Sequence, residues 1–447
     1  MKPNSYSLCC CVIFLIIQVS LADSISFVRD VAPVLVSKCQ NCHGPEKVKG
    51  GYRLDTFSHF LTNGRNDIIP IIPGDPENSE LFIRLTSDDE DALMPQDGEP
   101  LNQKQIELIR LWIKEGAKFD GESIQTPLIN LLQPIKHLPA PEKYRQKIPI
   151  TALEFGPKGE KLFVSGYREI TVWDTKNVKL LNRLGNISER VYDLSVSADG
   201  CLLAVACGQP GKLGEVRIFD LISGQLSTVL AASTDVMLTV AFSNDTGLLA
   251  AGGADNKLRL IDVDSGEIMH VLNSHSDWIR SLAWNTDGSR VVTASRDKTA
   301  KVFDVQSGKR IASYLGHQND VRGVVFHENG RDVLSVGDDR KIHKWNSIGP
   351  KRISDSSLSE KGIPMAIERL GNNVLVAYSD HSVQVININI KDEMIKWDGH
   401  REAVLSVAIS PSKRIAASGD FDGEVILWHI DDGKIQRRFF PLPGYEK

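Results

Sequence analysis

The chain has 447 residues, which is more than one ordinary hydrophobic core holds, so two or three domains are expected. Hydrophobic residues make up 41% and charged residues 24%, which is the composition of a globular protein. The formal net charge of -5 argues against a general nucleic-acid-binding protein.

An export signal is predicted at the N-terminus, over residues 1–22. Lys2 precedes the apolar run "LCCCVIFLIIQVSLA", which ends in the small residues of a signal-peptidase site, Ser20 and Ala22. The run is short for a membrane-spanning helix of about 20 residues, and an uncleaved anchor is the alternative. We therefore expect an exported protein, periplasmic or at the cell surface, with no membrane span after signal cleavage.

The first motif with chemical content is "CQNCH", which places Cys39, Cys42 and His43 on one turn of chain. Covalent haem attachment uses this C-x-x-C-H spacing, because two such thiols can add to the haem vinyl groups while the imidazole becomes the proximal iron ligand. A zinc site needs about two more ligands, and a redox thiol pair needs a βαβ context. The motif therefore predicts one covalently attached haem c, with a chance match as the alternative.

A distal iron ligand is expected at Met94, since it is the only methionine between Met1 and Met237. Pro95 biases it toward extended backbone, and a thioether is a common axial haem ligand. The rival ligand is His59, and core packing is the alternative role of Met94. The acidic run 88–91 directly precedes it and is either a solvated loop or a steering patch for a basic redox partner.

A helix is predicted from the Asn102 cap to Gly116, with a broad apolar face that includes Ile109 and Ile113. It would complete a small all-α haem domain over residues 23–121. Residues 122–147 contain four prolines and are predicted to be a linker.

From residue 148 to 441 the chain repeats a triplet such as "VWD" or "VFD" seven times. Short β-rich runs and polar turns separate the triplets, a pattern typical of four-stranded propeller blades. Successive spacings are 46, 42, 42, 42, 41 and 42 residues, and the insertion "GQPGKLG" accounts for the longest. The middle residues of the triplets are Trp173, Phe219, Ile261, Phe303, Trp345, Ile386 and Trp428. Residues 442–447 would be a C-terminal tail.

Three His/Asp pairs, each 22 residues apart, recur in the repeats. They are His275 with Asp297, His317 with Asp339, and His400 with Asp422. We interpret them as structural hydrogen bonds, because chemistry needs one site rather than a copy in each blade. Cys201 and Cys207 lie in a strand-like run that would hold them about 20 Å apart, beyond the ~7 Å limit of a disulfide, so both are predicted to be buried hydrophobic residues.

Two family resemblances follow from these motifs. Residues 27–119 resemble the planctomycete-type cytochrome c module in five ordered pieces: "FVRDVAPVLVSKCQNCHGP", "KGGYRLDT", "IIPGDPENSELFIRL", "LMPQDGEPL" and "QIELIRLWIKEGA". This resemblance implies haem thioethers at Cys39 and Cys42, a proximal ligand at His43 and a distal ligand at Met94. Residues 148–441 resemble a seven-bladed WD-repeat β-propeller whose first two units are degenerate.

The sequence therefore favours an exported mono-haem electron carrier whose propeller is a docking platform. Its partner would be a redox protein that docks at the propeller or at the acidic surface of the haem domain. One alternative is a haem-linked oxidoreductase whose propeller binds an oxidisable substrate, and another is an interaction protein with a structural or sensory haem. No catalytic residue is predicted, because no unique titratable cluster or cofactor fingerprint stands out.

Overall fold

The computed structural model describes residues 25–444, apart from 46, 63, 65–67, 97–99, 122, 132–134, 245–246, 274, 359–360, 388–393 and 411. The predicted signal, residues 1–22, lies outside the described residues. Within the described part of the chain, no helix is long and apolar enough to cross a membrane.

The N-terminal region is built from short helices. They are a π-helical turn Phe27–Val31, α1 Ala32–Lys38, α2 Gln40–His43, a 3₁₀ turn Lys49–Gly51, α3 Phe57–Phe60, α4 Glu80–Leu85, α5 Gln103–Lys114 and α6 Leu128–Leu131. This small helical region agrees with the prediction of a helical domain before the propeller.

Helix α5 confirms the predicted helix and organises the core of this region. Asn102 accepts from the backbone N–H of Gln105, and the Gln105 side chain accepts from the N–H of Asn102, so the capping box is complete. On the inner face, the Trp112 ring stacks on Phe60 with ring centres 6.0 Å apart and lies 5.3 Å from Phe27. Aromatic packing therefore holds the first and last helices of the domain together.

Seven four-stranded antiparallel sheets follow, which confirms the predicted seven-bladed propeller. Blades 1 to 4 consist of β1 Leu153–Phe155, β2 Lys161–Ser165, β3 Ile170–Asp174 and β4 Lys179–Leu184; β5 Arg190–Val196, β6 Leu202–Gln209, β7 Leu213–Asp220 and β8 Gln225–Ser233; β9 Met237–Phe242, β10 Leu248–Gly253, β11 Leu258–Asp262 and β12 Ile268–Leu272; and β13 Ile279–Trp284, β14 Arg290–Ser295, β15 Ala300–Asp304 and β16 Arg310–Tyr314. Blades 5 to 7 consist of β17 Val321–Phe326, β18 Asp332–Gly337, β19 Lys341–Asn346 and β20 Arg352–Ser357; β21 Pro364–Leu370, β22 Asn373–Tyr378, β23 Ser382–Asn387 and β24 Met394–Asp398; and β25 Val404–Ser410, β26 Ile415–Asp420, β27 Val425–His429 and β28 Ile435–Phe439.

Each repeated triplet ends the third strand of its blade, so the sequence period and the blade period coincide. The insertion in the second unit does not form a separate loop. It lengthens β6 and β7 to eight residues each, and these strands pair along their whole length. Cys207 lies in β6 and is buried as predicted, whereas Cys201 precedes the strand and is partly exposed. Neither forms a disulfide.

The ring closes without a shared strand. Every blade takes its four strands in chain order from one continuous segment, and in the described part of residues 122–147 no strand is contributed to blade 7. The first strand of blade 1, β1, contacts both β5 and β25, so the innermost strands complete the circle.

Two of the predicted His/Asp pairs form as expected from their spacing. Nδ1 of His275 donates to Asp297 at 2.8 Å, and Nδ1 of His317 donates to Asp339 at 2.9 Å. Burial alone would raise the pKa of Asp339, but its hydrogen bond from His317 holds that pKa below the usual value. These bonds tie the loop before each blade to the turn before its third strand.

The predicted pairing of His400 with Asp422 is wrong. Nδ1 of His400 donates to Asp420 instead, at 2.9 Å. Asp420 is the last residue of β26 and is buried, so its carboxylate lies beneath the loop that carries His400. Asp422 is two residues further along, is partly exposed and forms an ion pair with Lys147.

Candidate functional site

A cavity of about 410 Å³ in the helical region brings together the four residues singled out as haem ligands and attachment points. This volume falls in the range of roughly 300–1,000 Å³ that is typical of ligand sites. Apolar side chains and glycines provide much of the wall, with a few charged groups. The lining residues are Lys38, Cys39, Cys42, His43, Lys49, Gly50, Tyr52, Leu54, Gly64, Ile68, Pro70, Glu80, Leu81, Arg84, Leu85, Met94, Pro95 and Gln96.

The end of α1 and the short helix α2 present the C-x-x-C-H motif to the cavity. The N–H of Cys39 donates to Leu35 at the end of α1, and the N–H of His43 donates back to the carbonyl of Cys39 at 3.0 Å. This single helical turn brings the two thiols and the imidazole to the same wall. The short spacing in the sequence is thus sufficient to place all three groups.

His43 is oriented by a segment that returns to it nine residues later. Its Nδ1 lies 3.4 Å from the carbonyl oxygen of Tyr52, while the N–H of Leu54 donates to the carbonyl of His43 at 2.7 Å. The Tyr52 ring packs edge-on against the imidazole, and its hydroxyl donates to the carbonyl of Phe60. With Nδ1 facing a carbonyl, Nε2 is the ring nitrogen available to a metal. Sequence reasoning missed Tyr52, whose sole signal was its place in the piece "KGGYRLDT".

The two motif cysteines are free thiols rather than a disulfide. Burial, and secondarily the neighbouring Cys42, raises the pKa of the Cys39 thiol to about 12. Reactive redox cysteines need an accessible thiolate, which this environment disfavours, so the surroundings of Cys39 argue against the redox-pair interpretation. A zinc site needs about four converging ligands, and Cys39, Cys42 and His43 are not among the groups of described residues that are close enough together to hold a metal ion.

Met94 is held at the cavity by α4. Its N–H donates to the carbonyl of Arg84 at 2.8 Å, which fastens the methionine loop to the end of that helix. The rival ligand His59 lies on α3, where its Nδ1 is 3.3 Å from Asp55, and it is not among the described residues that line the cavity. The geometry thus brings Met94, and not His59, to the cavity that the C-x-x-C-H motif also lines.

The charged lining of the cavity is mostly basic. Lys38, Lys49 and Arg84 contribute positive charges, and Glu80 contributes one negative charge, with Glu80 accepting from Arg84 at 2.7 Å. A haem carries two propionates, and cationic side chains are their ordinary partners. The residues present therefore fit the size, the apolar character and the charge of a haem. The acidic run 88–91 precedes Met94 on the outside, and all four of its residues are exposed.

Two buried groups in the propeller have the composition of metal sites, His317 with Asp339 and His343, and His400 with Asp420 and Glu424. Both ring nitrogens of His317 and of His400 already have partners, a carboxylate at Nδ1 and a serine hydroxyl at Nε2. The rings of His317 and His343 stack with centres 4.2 Å apart, so their in-plane lone pairs run parallel rather than converging. These groups are structural.

Family comparisons match both parts of the chain. Residues 39–98 match the model described as planctomycete cytochrome C, a segment that begins at the first motif cysteine and includes Met94. Four segments, 224–262, 266–304, 308–346 and 392–429, match the model of the WD domain, G-beta repeat. These segments end with the third strands of blades 3, 4, 5 and 7, and three of them contain the His residues discussed above.

A curated relative is the small ribosomal subunit protein RACK1y of Oryza sativa subsp. japonica, which is 39% identical over 56 residues. The match covers 12% of this chain and 17% of that protein, so it bears on one or two blades and not on the whole molecule. The chain combines a planctomycete cytochrome c module, matched over residues 39–98, with a seven-bladed WD-repeat β-propeller.

Proposed function

We propose that the protein is an exported mono-haem c-type cytochrome that transfers electrons and uses its propeller as a docking platform for a redox partner. The observation that carries this proposal is the convergence of Cys39, Cys42, His43 and Met94 on one apolar cavity. A cytochrome c module implies haem c, which when bound supplies reversible one-electron chemistry at its iron.

Each residue has a distinct role in this proposal. Cys39 and Cys42 would hold the haem through thioethers, and His43, whose Nδ1 is oriented by Tyr52, would be the proximal ligand through Nε2. Met94 would be the distal ligand, from the loop fastened to α4. A haem held by both His43 and Met94 would leave no position for a substrate, which favours an electron carrier over an oxidoreductase.

Export is supported by two independent features. Residues 1–22 have the pattern of a signal peptide, and haem is attached to C-x-x-C-H motifs outside the cytoplasmic membrane. The module matched at residues 39–98 suggests an exported protein for the same reason.

The docking role of the propeller rests on its architecture of seven four-stranded blades. Its buried His/Asp groups are occupied in structural hydrogen bonds and offer no reactive cluster. A docked partner held close to the haem would gain effective concentration, which suits a weak redox interface.

The proposal is tested by producing the chain in a host that attaches haem c and measuring mass and visible spectrum. The expected result is one haem per chain that survives denaturation, since thioether bonds are covalent. Cys39→Ser with Cys42→Ser should abolish this retained haem, whereas the control Cys201→Ser, in the propeller, should leave it unchanged. Haem-free wild-type protein from such a host would contradict the proposal.

The distal ligand is tested separately. Met94→Ala should remove the thioether-to-iron absorption band of the ferric protein and lower its reduction potential, because a thioether stabilises ferrous iron. His59→Ala is the matched control and should retain the band. A band that persists without Met94 would transfer the distal role to another group.

A further inference from the structure

A strap of extended chain, residues 135–150, crosses the rim of three consecutive blades before entering β1. It lies at the end of the ring where the first strand of every blade begins, and it passes blade 2, then blade 1, then the seam with blade 7. The apolar side chains of its first part do not hold it, since Ile135 and Leu138 are 55% and 65% exposed. Polar contacts fix this part, whereas Tyr144 and Ile150 near the end of the strap are buried.

Blade 2 grips the strap through a buried ion pair. Arg217, which is fully buried, is bonded to Glu215 of the same strand and also donates to the strap carbonyl of Ile135 at 2.7 Å. Glu215 in turn accepts from Nε2 of His137 on the strap at 2.7 Å. Burial alone would raise the pKa of Glu215, but the bonds from His137 and Arg217 hold it below the usual value. Without the strap, both buried charges would lose a partner.

Blade 1 repeats the arrangement with different residues. Arg183 is bonded to the buried Glu169 and donates to the strap carbonyl of Pro141 at 2.6 Å. The strap returns a side chain to the same glutamate, because the hydroxyl of Tyr144 donates to Glu169 at 2.6 Å. In each blade, therefore, an arginine holds a strap carbonyl while a strap side chain caps the glutamate.

The last part of the strap spans the seam between blades 7 and 1. The N–H of Tyr144 donates to the carbonyl of Pro443 in the C-terminal tail at 2.8 Å, and Lys147 forms an ion pair with Asp422 of blade 7. The N–H of Ile150 donates to the carbonyl of Asp420 at 3.0 Å, also in blade 7. Because no strand is shared across this seam, these bonds reinforce the contact between β1 and β25.

The other end of the strap leads to the helical region. Helix α6 precedes it, and Leu128 of α6 is fully buried in the core that contains Phe27 and Trp112. The same helix lies against β8 of blade 2. The helical region is thus anchored to the blade that grips the start of the strap.

We propose that the rim of blades 2 and 1 is a binding surface for an extended polypeptide, that its occupant is the strap, and that this contact fastens the ring seam and fixes the helical region on the propeller. Glu169, Glu215 and Glu424 occupy equivalent positions in blades 1, 2 and 7, four residues before the middle of the triplet. Glu215 lies in its third strand, and the other two directly precede theirs. In blade 7 the paired Arg438 donates to the carbonyl of Gly399, in the loop between blades 6 and 7, rather than to the strap. This inference goes beyond the proposed function and holds whether or not haem is bound.

Hydrogen exchange of the full mature chain, measured by mass spectrometry, tests the proposal. In the wild type, peptides covering residues 135–150 should be protected. Arg183→Met with Arg217→Met should speed their exchange on the order of tenfold or more, together with that of the seam peptide containing Ile150. Arg438→Met is the matched control, since it removes an equivalent arginine that does not touch the strap, and should leave strap exchange unchanged.

A second variant covers the case in which loss of two arginines prevents folding. His137→Ala with Tyr144→Phe removes the contacts from the strap side and leaves both Glu–Arg pairs intact, so it should loosen the strap while β17 and β18 on the far side stay protected. An unprotected wild-type strap, a strap unaffected by either variant, or a strap freed while the seam keeps its protection would each overturn the proposal.

Discussion

At the scale of single residues, the seventh blade shows how a shift of two positions decides which carboxylate accepts the hydrogen bond of the loop histidine. Asp420 ends its strand, is 1% exposed, and accepts from His400 and from the N–H of Glu424. Asp422 follows in the turn, where solvent reaches it and Lys147 can approach. Two aspartates only two positions apart therefore have different roles: one forms a buried hydrogen bond and the other a surface ion pair.

Because of this difference, substituting the two aspartates should lower the free energy of unfolding by unequal amounts. Asp420→Ala should lower the free energy of unfolding of the propeller by about 3 kcal/mol, because it leaves a buried histidine without its carboxylate. Asp422→Ala should cost less than about 1 kcal/mol, because it breaks only a partly exposed ion pair. Urea denaturation followed by tryptophan fluorescence measures both. Equal losses in the two variants would contradict the assignment of Asp420.

The haem ligands illustrate which residue roles a sequence can reveal. Cys39, Cys42 and His43 lie within one helical turn, so their spacing alone determined that they would face the same cavity. The sequence could not reveal in this way the carbonyl of Tyr52, which orients His43, or the carbonyl of Arg84, which holds Met94. Every residue has a carbonyl, so only the folded path of the chain shows which one is used.

At the scale of elements, the third strands of neighbouring blades use one position in different ways. In blades 3 to 6 the turn before the third strand contains an aspartate, and these residues are Asp255, Asp297, Asp339 and Asp380. The residues four positions later are Arg259, Lys301, His343 and Gln384, in the same order. Arg259 and Lys301 form ion pairs with the aspartate of their own blade. In blade 5 the buried His343 contacts the hydroxyl of Tyr314 at 2.7 Å and stacks on His317.

His343, in the third strand of blade 5, should make the stability of the propeller sensitive to mild acid. Burial, and then the neighbouring His317, lowers the pKa of His343 from 6.5 to about 4. As pH falls from 6.5 to 4, the unfolded chain binds a proton that the folded chain rejects, so stability declines through this window and the loss is complete below it. The size of the effect is on the order of 3 kcal/mol at the acid end.

His343→Gln introduces the type of side chain found at the equivalent position of blade 6 and removes the titration. We expect the stability of this variant, measured by urea denaturation between pH 7 and 4, to decline less steeply than that of the wild type. His429→Gln, at an exposed position at the end of β27, is the control and should retain the wild-type slope. Identical slopes in the wild type and His343→Gln would refute the role of this residue.

The strand pattern was largely predictable, because the triplet that ends each third strand recurs with nearly constant spacing. What the sequence did not reveal is the fate of the irregularities. The insertion in blade 2 contains glycines and a proline, which are depleted in strands, yet β6 and β7 pair through it to Gln209 and Leu213. Pairing with a neighbouring strand overrides local preference in such a case.

At the scale of the whole molecule, the segment predicted to be a linker has a more specific role. Its prolines indicated a linker between the two parts, but composition carries no information about the buried Arg217 and the partly exposed Arg183 that hold it. In the sequence nothing distinguishes these two arginines from other strand residues, and only the folded sheets show that they lie at the rim of the ring. A firmly held strap also means that a partner docked on the propeller would meet the helical region in a defined orientation.

The distribution of charge over the molecule leads to a last prediction, which concerns electron-transfer rates and rests on the proposed function. The exposed acidic run 88–91 adjoins the loop of Met94, at the cavity, so its field should act on charged reactants that approach there. Electron transfer with hexaammineruthenium, a cation, should slow as ionic strength rises, and transfer with the anion hexacyanoferrate should accelerate.

Neutralising the run with Asp88→Asn, Asp89→Asn, Glu90→Gln and Asp91→Asn should slow the reaction with the cation about threefold at low ionic strength and flatten its salt dependence. The control removes the same number of charges from exposed positions on the propeller, with Glu160→Gln, Asp398→Asn, Asp431→Asn and Asp432→Asn. Both variants have the same net charge, so a difference between their electron-transfer rates must come from where the charges lie and not from the total charge. Because the Debye length is about 10 Å at 0.1 M salt, the propeller charges should matter little when the two variants are compared at that ionic strength, and equal effects there would show that the run has no steering role.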